Sequence, residues 1–320
     1  MARLKEYNGH YCESEYEYAF IGFLEAEGWK YSSGNNISRV TKRDVLIADD
    51  FKKFIADTNP DLTEDEVTKI YDNVRLVGAE SDFATLHKVY GWMVNGVQFT
   101  TQDGLPRMIP LIDFDNWNKN IFRVVNQFTV EYTNNGQKEN RRPDVLLFVN
   151  GMPLCVVELK NPVDANATIY DAWEQINIRY WRDIPHLLHY CPLACISDGV
   201  KTRLGTVRTP YEHFYAWRRV NEGDAVSTLP FAETETMIKG VYTPERFVEI
   251  FRDYIYFQDS IYDSDEVEIV CRYPQFFAAK LLKQSIVNSV VTRSGKGGTY
   301  FGATGCGKSF TMLYLARMLM

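Results

Sequence analysis

The chain has 320 residues, of which 45% are hydrophobic and 14% aromatic, which is enough for two domains with separate cores. The cysteines form no CxxC pair and have no histidine at zinc-ligand spacing, so neither a disulfide framework nor a zinc site is predicted. No signal peptide precedes the first helix, and no apolar run reaches the roughly 18 residues of a membrane helix. We therefore expect a soluble, cytoplasmic protein with no membrane partner.

The formal net charge of −7 argues against a surface that binds nucleic acid. Residues 141–219 are the only net-positive part, with 10 Lys and Arg against 8 Asp and Glu. These basic side chains either line a DNA groove or lie scattered on a solvated surface, and the sequence leaves both alternatives open. Apart from Lys160, they are Arg141, Arg142, Arg179, Arg182, Lys201, Arg203, Arg208, Arg218 and Arg219.

The predicted elements begin with a helix that Ser14 and Glu17 cap and Gly28 ends. Asn150-Gly151 predicts a turn between two strands, although Met152 and Pro153 make the loop longer than a minimal hairpin. The other predicted elements of this half are helices at 61–76, 81–93 and 167–182, a turn at 133–137, and strands at 107–113, 121–131, 145–149, 154–159 and 193–197. Together they predict a sheet with helices packed against it.

The C-terminal part begins after a polar, weakly patterned stretch at 220–236. Beyond it the sequence predicts helices at 243–257, 274–290 and 309–320, and a short strand at 298–302 that enters a Gly-rich loop. We therefore divide the chain into a domain at 1–225, a linker at 226–242 and the start of a second domain at 243–320.

Three charged side chains are expected to meet at one end of the sheet. Glu158 and Lys160, two residues apart, project from the same face at the end of their strand. Asp144 begins the preceding strand, and antiparallel pairing places the start of one strand beside the end of the next. Two carboxylates suit Mg²⁺, which one or two carboxylates and a substrate phosphate usually hold.

The expected chemistry is hydrolysis of a phosphodiester. Asp144 and Glu158 would ligate Mg²⁺, and Lys160 would orient or help to deprotonate the attacking water and offset charge on the phosphate. The alternative is a surface hairpin with solvated ends. Pro143 fixes the approach to Asp144, and the strand before Glu158 is apolar, which favours the metal site.

The stretch "RRPDVLLFVNGMPLCVVELK" at 141–160 resembles the PD-(D/E)xK nuclease superfamily, with Asp144, Glu158 and Lys160 at the matching positions. Together with "IPHLLHYCPLACISDGVKTRLGT", "YEHFYAWR", "IKGVYTPERFVEIFRDYIYF" and "CRYPQFFAAKLL", it is similar to the restriction (R) subunit of type I restriction-modification enzymes. The resemblance spans nearly the whole chain and is strongest over 107–320. It implies a mixed-sheet α/β domain of the restriction-endonuclease type, followed by the beginning of a RecA-like P-loop motor domain.

The resemblance implies further site residues. Such nucleases place a Glu near the metal on the N-terminal helix, where Glu17 is the best match and Glu15 the competitor. They also carry a Gln-xxx-Tyr pattern on the helix after the catalytic strands, but Gln175 and Tyr180 are five residues apart. Five residues turn an α-helix by roughly 140°, so we do not expect both side chains to share that role. A plain amphipathic helix is the alternative.

A second motif, "GATGCGKS" at 302–309, fits the nucleotide-binding pattern G-x-x-x-x-G-K-[ST]. Its glycines let backbone N–H groups face the phosphates, Lys308 reaches the β- and γ-phosphates, and Ser309 ligates Mg²⁺. The predicted cofactor-binding residues of this loop are Gly302, Thr304, Gly305, Cys306, Gly307, Lys308 and Ser309.

Gln275, 33 residues before Lys308, resembles the adenine-reading Gln of superfamily 2 helicase-type motors, with a surface glutamine as the alternative. Such a motor also needs a Walker B acid and residues of a second RecA-like domain, which do not fit in the eleven residues after Ser309. The chain therefore resembles an N-terminal fragment. Alone, it is expected neither to hydrolyse ATP nor to translocate DNA.

The resemblance implies an endonuclease and ATP-dependent DNA translocase subunit that joins modification (M) and specificity (S) subunits. Such a subunit cuts both strands of unmodified DNA away from the recognition site. Mg²⁺ and ATP are the implied cofactors, and S-adenosylmethionine enters only through the M subunit. Two alternatives stay open: a stand-alone nuclease-helicase of DNA repair, and a non-catalytic module that binds DNA or docks subunits.

Overall fold

The computed structural model describes residues 13–78, 80–160, 168–226, 232–258 and 266–320. Three parts of the predictions lie outside these ranges. They are Cys12, residue 167 at the start of the helix predicted at 167–182, and residues 227–231 of the predicted linker. The described helices are α1 (Glu13–Ala26), α2 (Ala48–Thr58), α3 (Glu64–Arg75), α4 (Asp82–Asn95), α5 (Ile169–Glu174), α6 (Trp181–Asp183), α7 (Pro185–Leu188), α8 (Ala232–Val241), α9 (Pro244–Asp253), α10 (Tyr273–Thr292) and α11 (Lys308–Leu319). A π-helical turn, Gln175–Tyr180, joins α5 to α6.

The described strands are β1 (Lys30–Ser33), β2 (Val97–Thr100), β3 (Pro106–Ile109), β4 (Phe122–Asn126), β5 (Val130–Asn134), β6 (Gln137–Arg141), β7 (Val145–Val149), β8 (Met152–Leu159), β9 (Leu193–Ser197), β10 (Thr202–Thr206), β11 (Ile255–Gln258) and β12 (Val267–Val270). Six of them form one sheet in the order β1-β4-β7-β8-β9-β10. The β1–β4 and β8–β9 pairs are parallel, and the β4–β7, β7–β8 and β9–β10 pairs are antiparallel. The predicted mixed-sheet α/β architecture is thus confirmed.

The central strands β7, β8 and β9 are buried along their whole length. Strands that are covered on both faces have nearly continuous apolar sequences, as "VLLFV" and "LACIS" are here. The polar Glu158 lies in this apolar setting, near the end of β8. Its position in the middle of the sheet determines the electrostatics of the site.

The turn between β7 and β8 is shorter than predicted. Asn150 (φ 51°) and Gly151 (φ 77°) form a two-residue turn, and Met152 already pairs with Val149. Pro153 has no N–H to donate, and it fits into the strand where the register of the pair shifts. The buried Asn150 side chain bonds to backbone groups of the neighbouring loops. The hairpin that carries the candidate site is therefore fixed at its turn by tertiary contacts.

The helices predicted at 61–76 and 81–93 form as α3 and α4. Thr63 and Glu66 make a reciprocal capping box at the start of α3, which satisfies backbone N–H groups that have no partner within the helix. The predicted cap of α1 is wrong, because Ser14 lies inside that helix. The predicted end of α1 is confirmed by Gly28, whose φ of 105° is unfavourable for other residues.

The C-terminal part differs most from its prediction. The helix predicted at 243–257 ends at Asp253, and the alternating apolar sequence "IYFQ" forms β11, which pairs with β12. Within the predicted linker, α8 begins at Ala232. The strand predicted at 298–302 is irregular, since no described strand pairs with it to form a sheet. The stretch predicted as one strand at 121–131 is divided by a loop into β4 and β5, and the strand predicted at 107–113 ends at Ile109.

One hydrophobic core extends from Tyr16 in α1 to Tyr314 in α11. The indole N–H of Trp29 donates to the Tyr242 carbonyl at 2.6 Å, and the Tyr90 hydroxyl donates to the Phe251 carbonyl at 2.9 Å. The contact between Tyr90 and Phe251 crosses the predicted linker at 226–242, and the contact of Trp29 reaches its last residue, Tyr242. The division into two domains stays a prediction.

Candidate active site

Asp144 and Glu158 lie at the same end of the sheet. Asp144 directly precedes β7, and the next residue, Val145, pairs with Val157 in β8. The backbone N–H of Leu159 donates to Asp144 Oδ2 at 2.8 Å. The half-buried Asp144 carboxylate is therefore anchored across the antiparallel pair, beside the strand that carries Glu158.

Glu158 is completely buried, and both of its carboxylate oxygens accept hydrogen bonds. The Tyr180 hydroxyl donates to Oε1 at 2.5 Å, and the Gln175 amide donates to Oε2 at 2.7 Å. A buried carboxylate is costly unless such donors compensate for the lost water. Tyr180 and Gln175 thus hold the carboxylate in one orientation.

Lys160 joins the same network through its side chain. Its ammonium group donates to Gln175 Oε1 at 2.9 Å, so that one amide holds both Lys160 and Glu158. Its backbone N–H donates to the Ser197 carbonyl at 2.8 Å, which extends the β8–β9 pairing past the end of β8. Both ends of the lysine are therefore positioned relative to the carboxylates.

The prediction that the five-residue spacing turns the Gln175 and Tyr180 side chains to different faces of the helix is wrong. The two side chains contact each other, with the Gln175 amide 2.8 Å from the Tyr180 hydroxyl, and both contact Glu158. The prediction assumed α-helical geometry, but Gln175–Tyr180 is a π-helical turn. In a π-helix the turn closes between residues i and i+5, which brings the pair back to one face.

Burial raises the pKa of Glu158 well above its ordinary value, and the negative charge of Asp144 raises it further. The Lys160 ammonium and the Tyr180 hydroxyl lower this pKa, because both favour the ionised carboxylate. Burial and the charge of Glu158 also raise the pKa of Tyr180 well above its usual range, so the hydroxyl remains a donor. The network thus opposes the cost of a buried negative charge.

The donor set fits a hard divalent cation. The Asp144 and Glu158 carboxylates converge beside the Lys160 ammonium group. The described ranges contain no metal-binding group of three or more His, Cys, Asp or Glu side chains, so the protein would offer only these two carboxylates. Mg²⁺ commonly takes one or two protein carboxylates and keeps waters or substrate phosphates in its other positions. Asp144 and Glu158 fit this pattern.

Glu17 in α1 binds the end of β4 and the residue that follows it. Its carboxylate accepts hydrogen bonds from Asn126 Nδ2 and Gln127 Nε2, both at 2.6 Å. The Gln127 backbone N–H donates to the Asp144 carbonyl at 3.1 Å, which links Glu17 to the Asp144 backbone. Glu15, the competing residue, is half-buried, whereas Glu17 is buried. No local pattern pointed to Asn126 or Gln127, since their contacts join distant parts of the chain.

A cluster of four hydroxyl side chains beside the site was also missed from the sequence. The Tyr16 hydroxyl lies 2.7 Å from Ser197 Oγ and 3.0 Å from Thr234 Oγ1. Thr202 Oγ1 lies 2.7 Å from both of those oxygens. The cluster connects α1, β9, β10 and α8 at the strand end whose Ser197 carbonyl accepts from Lys160.

Several of the basic side chains from the net-positive part of the sequence are engaged in ion pairs. Arg141 and Arg182 both bind the Asp183 carboxylate, and Arg208 binds Glu266. Arg142 is exposed and lies two residues before Asp144. The groove and the scattered surface therefore remain alternatives, with Arg142 the basic side chain nearest in sequence to Asp144.

The predicted nucleotide-binding loop leads directly into α11, which begins at Lys308. Gly305 and Gly307 both have a φ of 79°, a conformation that glycine adopts without strain. The Lys308 ammonium donates to the carbonyls of Gly302 and Ala303 at 2.9 Å. Thr304 and Ser309 are exposed, whereas Cys306 is half-buried. Glycines before a helix N-terminus and an adjacent lysine fit a phosphate group.

Gln275, predicted to read adenine, touches this loop. Its Nε2 donates to the Gly307 carbonyl at 3.3 Å, and its Oε1 accepts from the Arg272 backbone N–H at 2.8 Å. The side chain is buried, so the alternative of a solvated surface glutamine is wrong.

Comparison with known proteins places these features in a family. Residues 11–213 match the model of the type I restriction enzyme R protein N terminus. The "Putative type I restriction enzyme MjaIXP endonuclease subunit" of Methanocaldococcus jannaschii is 31% identical across 94% of this chain and 30% of its own length. The type I restriction enzyme HindI endonuclease subunit of Haemophilus influenzae is 28% identical across 96% of this chain and 30% of its own length.

A more distant relative is the type I restriction enzyme SauCOLORF180P endonuclease subunit of Staphylococcus aureus, which is 26% identical across 66% of this chain and 21% of its own length. The chain spans about 30% of the length of the two relatives above. In the ranges that the structure describes, no helix has the length and apolar character needed to cross a membrane.

Proposed function

The chain belongs to the type I restriction enzyme R protein family, and on that premise we propose that Asp144, Glu158 and Lys160 form its Mg²⁺-dependent DNA-cleaving site. The observation that carries this proposal is the bridging Gln175 amide, which holds the Lys160 ammonium and the Glu158 carboxylate together. At a solvated hairpin end, water would bind the carboxylate, whereas Glu158 is buried and bound by two side-chain donors.

Each residue has a distinct part in the reaction. Asp144 and Glu158 would hold Mg²⁺, and the bound ion would supply Lewis-acid activation of the phosphate and of the attacking water. Lys160 orients the attacking water and offsets the charge that develops on the phosphate. Hydrogen bonds from Tyr180 and Gln175 orient the Glu158 carboxylate and favour its ionised, metal-binding form. Glu17 acts at a distance, by fixing the Gln127 segment against the Asp144 backbone.

Nucleotide binding at residues 302–309 is the second proposed activity, supported by the contact between Gln275 and Gly307. By family analogy, the full-length subunit uses ATP to translocate DNA through a RecA-like motor, assembles with M and S subunits in the cytoplasm, and cuts unmodified double-stranded DNA away from the recognition site. S-adenosylmethionine enters such an assembly through the M subunit.

The test is cleavage of unmodified plasmid by the full-length R subunit, with and without its M and S subunits, in Mg²⁺ and ATP. We expect double-strand cleavage only in the complete assembly, and none when the R subunit carries Asp144→Asn. Equal cleavage without M and S would favour the stand-alone nuclease-helicase. Undiminished cleavage by the Asp144→Asn assembly would contradict the proposed site.

A further inference from the structure

The four hydroxyl side chains beside the candidate site form a closed ring. The Tyr16 hydroxyl lies 2.7 Å from Ser197 Oγ, which lies 2.7 Å from Thr202 Oγ1. Thr202 Oγ1 lies 2.7 Å from Thr234 Oγ1, which in turn lies 3.0 Å from the Tyr16 hydroxyl. All four residues are buried. Since a hydroxyl donates one hydrogen bond and accepts two, these groups can satisfy one another, and we call them the hydroxyl ring.

The hydroxyl ring joins α8 to the ends of two strands. Ser197 is the last residue of β9, Thr202 is the first residue of β10, and Thr234 lies in α8. The neighbouring Glu233 side chain accepts a hydrogen bond from the Thr202 backbone N–H at 3.0 Å. Ser197 Oγ also accepts from the Gly199 backbone N–H at 3.2 Å, which ties the ring to the turn between β9 and β10. Two successive residues of α8 are therefore bound to this end of the sheet.

One arm of the candidate site starts from Ser197 in the ring. The Ser197 carbonyl accepts a hydrogen bond from the Lys160 backbone N–H at 2.8 Å, directly after the last residue pair of β8 and β9, Leu159 with Ser197. The ring holds Ser197 by its side chain, and Ser197 holds the Lys160 backbone by its carbonyl. The position of Lys160 relative to Glu158 therefore depends on how firmly the end of β9 is fixed.

A second arm starts from Tyr16 in the ring. Tyr16 directly precedes Glu17 in α1, and the Glu17 carboxylate accepts from Gln127 Nε2 at 2.6 Å. The Gln127 backbone N–H donates to the Asp144 carbonyl at 3.1 Å. The hydroxyl ring thus connects the arm that ends at Lys160 with the arm that ends at Asp144.

Stability alone does not account for four buried hydroxyls at this place. Replacement of both partners of a buried hydrogen bond by apolar groups of the same shape is nearly neutral, so an apolar cluster would stabilise the fold about as well. A hydrogen-bonded ring differs from such a cluster in its geometry, because each oxygen lies at a defined distance from two others. A fully satisfied buried network specifies one arrangement of the elements that it joins.

We propose that Thr234 is a positioning residue of the nuclease reaction, which closes the hydroxyl ring from α8 and thereby holds Ser197 and Lys160 in place. This inference rests on the proposed cleavage site at Asp144, Glu158 and Lys160. Without the Thr234 hydroxyl, the ring is open on the side of α8, and the end of β9 is held less firmly. Misplacement of a reacting group by about 1 Å lowers a rate by up to about 100-fold. A helix within the predicted linker thus supports the nuclease site.

The test uses the complete R, M and S assembly with unmodified plasmid in Mg²⁺ and ATP, and it compares the rate of double-strand cleavage with the rate of ATP hydrolysis. Thr234→Val removes the hydroxyl at nearly constant volume, and we expect cleavage about 10- to 100-fold slower at an unchanged rate of ATP hydrolysis. Thr234→Ser keeps the hydroxyl and should restore wild-type cleavage.

Thr206→Val is the matched control. Thr206 is as fully buried as Thr234 and lies in β10, but its hydroxyl is 2.9 Å from Thr209 Oγ1, outside the ring. We expect this variant to cleave at the wild-type rate. Equal losses of cleavage in Thr234→Val and Thr206→Val, or a parallel loss of ATP hydrolysis in Thr234→Val, would indicate a general loss of stability and overturn the positioning role.

The remaining outcomes separate the ring from the nuclease site. Wild-type cleavage by a folded Thr234→Val variant, or slow cleavage by Thr234→Ser, overturns the positioning role while the site stands. No cleavage by the wild type, or wild-type cleavage by Lys160→Ala, overturns the site and the inference with it. If Thr234→Val does not fold, Tyr16→Phe removes another hydroxyl of the ring. Cleavage slowed by the same factor at unchanged ATP hydrolysis then supports the ring, and wild-type cleavage overturns it.

Discussion

Replacement of Tyr180 by Phe removes one of the two side-chain donors to the Glu158 carboxylate. The hydroxyl is buried and donates at 2.5 Å, so no solvent replaces it. A hydrogen bond to a charged group contributes about 1.5–3 kcal/mol. Mg²⁺ binds only the ionised carboxylate, and loss of the donor makes that form less favourable. We therefore expect the half-saturating Mg²⁺ concentration for cleavage to increase by about 10- to 100-fold.

The assay is plasmid cleavage over a range of Mg²⁺ concentrations at fixed pH. Tyr190→Phe is the matched control, because the buried Tyr190 hydroxyl donates to the Val74 carbonyl at 2.6 Å, away from the site. We expect its Mg²⁺ dependence to equal that of the wild type. An unchanged Mg²⁺ requirement in Tyr180→Phe would refute the idea that the hydroxyl supports the metal-binding form of Glu158.

At pH values below the raised pKa of Glu158, Mg²⁺ must displace a proton to bind. The half-saturating Mg²⁺ concentration for cleavage should therefore rise about tenfold for each unit by which the pH is lowered. A half-saturating concentration that does not change with pH would contradict this. In EDTA no metal competes with the proton on Glu158. The unfolded state releases this proton near pH 4.5, whereas the folded state keeps it to higher pH because its pKa is raised. The free energy of unfolding should therefore fall as the pH rises from about 4.5 through the folded-state pKa. Denaturant titrations should show a larger loss in the wild type than in Glu158→Gln. Burial also raises the pKa of Glu268, but this contribution is common to both proteins and cancels in the difference. Gly151→Ala should destabilise the fold by about 1–3 kcal/mol more than Gly104→Ala. Both glycines have a positive φ, but only a Cβ at Gly151 would collide with a neighbouring backbone. Equal melting temperatures of the two variants would disprove this. Deletion of the exposed Ile178 should turn the π-helical turn into a regular α-helix and preserve Mg²⁺-dependent cleavage, and a folded but inactive product would count against that geometry.

The strands of the candidate site could be predicted from the sequence because their signals are local. Two apolar runs flank Asn150-Gly151, and antiparallel pairing then places Asp144 beside Glu158. The same holds for α3, whose start follows from Thr63 and Glu66. Even here a local rule failed, since Pro153 was expected to lengthen a turn and instead lies within β8.

The rest of the site depends on geometry that spacing alone does not reveal. Five residues separate Gln175 from Tyr180, and an α-helical interpretation of that distance points the two side chains apart, whereas the π-helical turn brings them together. The partners of Glu17 come from the end of β4 and the residue that follows it, more than one hundred positions away. The β11–β12 hairpin was missed because its first strand directly follows a helix of similar composition.

The most direct test of the proposed site is cleavage of supercoiled plasmid in Mg²⁺ and ATP by the complete R, M and S assembly. Wild type, Glu158→Ala and Lys160→Ala are compared, with Lys53→Ala as the control for an exposed lysine outside the site. We predict cleavage by the wild type and Lys53→Ala, and none by the two site variants. Wild-type cleavage by either site variant, or no cleavage by the intact wild-type assembly, would contradict the assignment of Asp144, Glu158 and Lys160 as a nuclease centre.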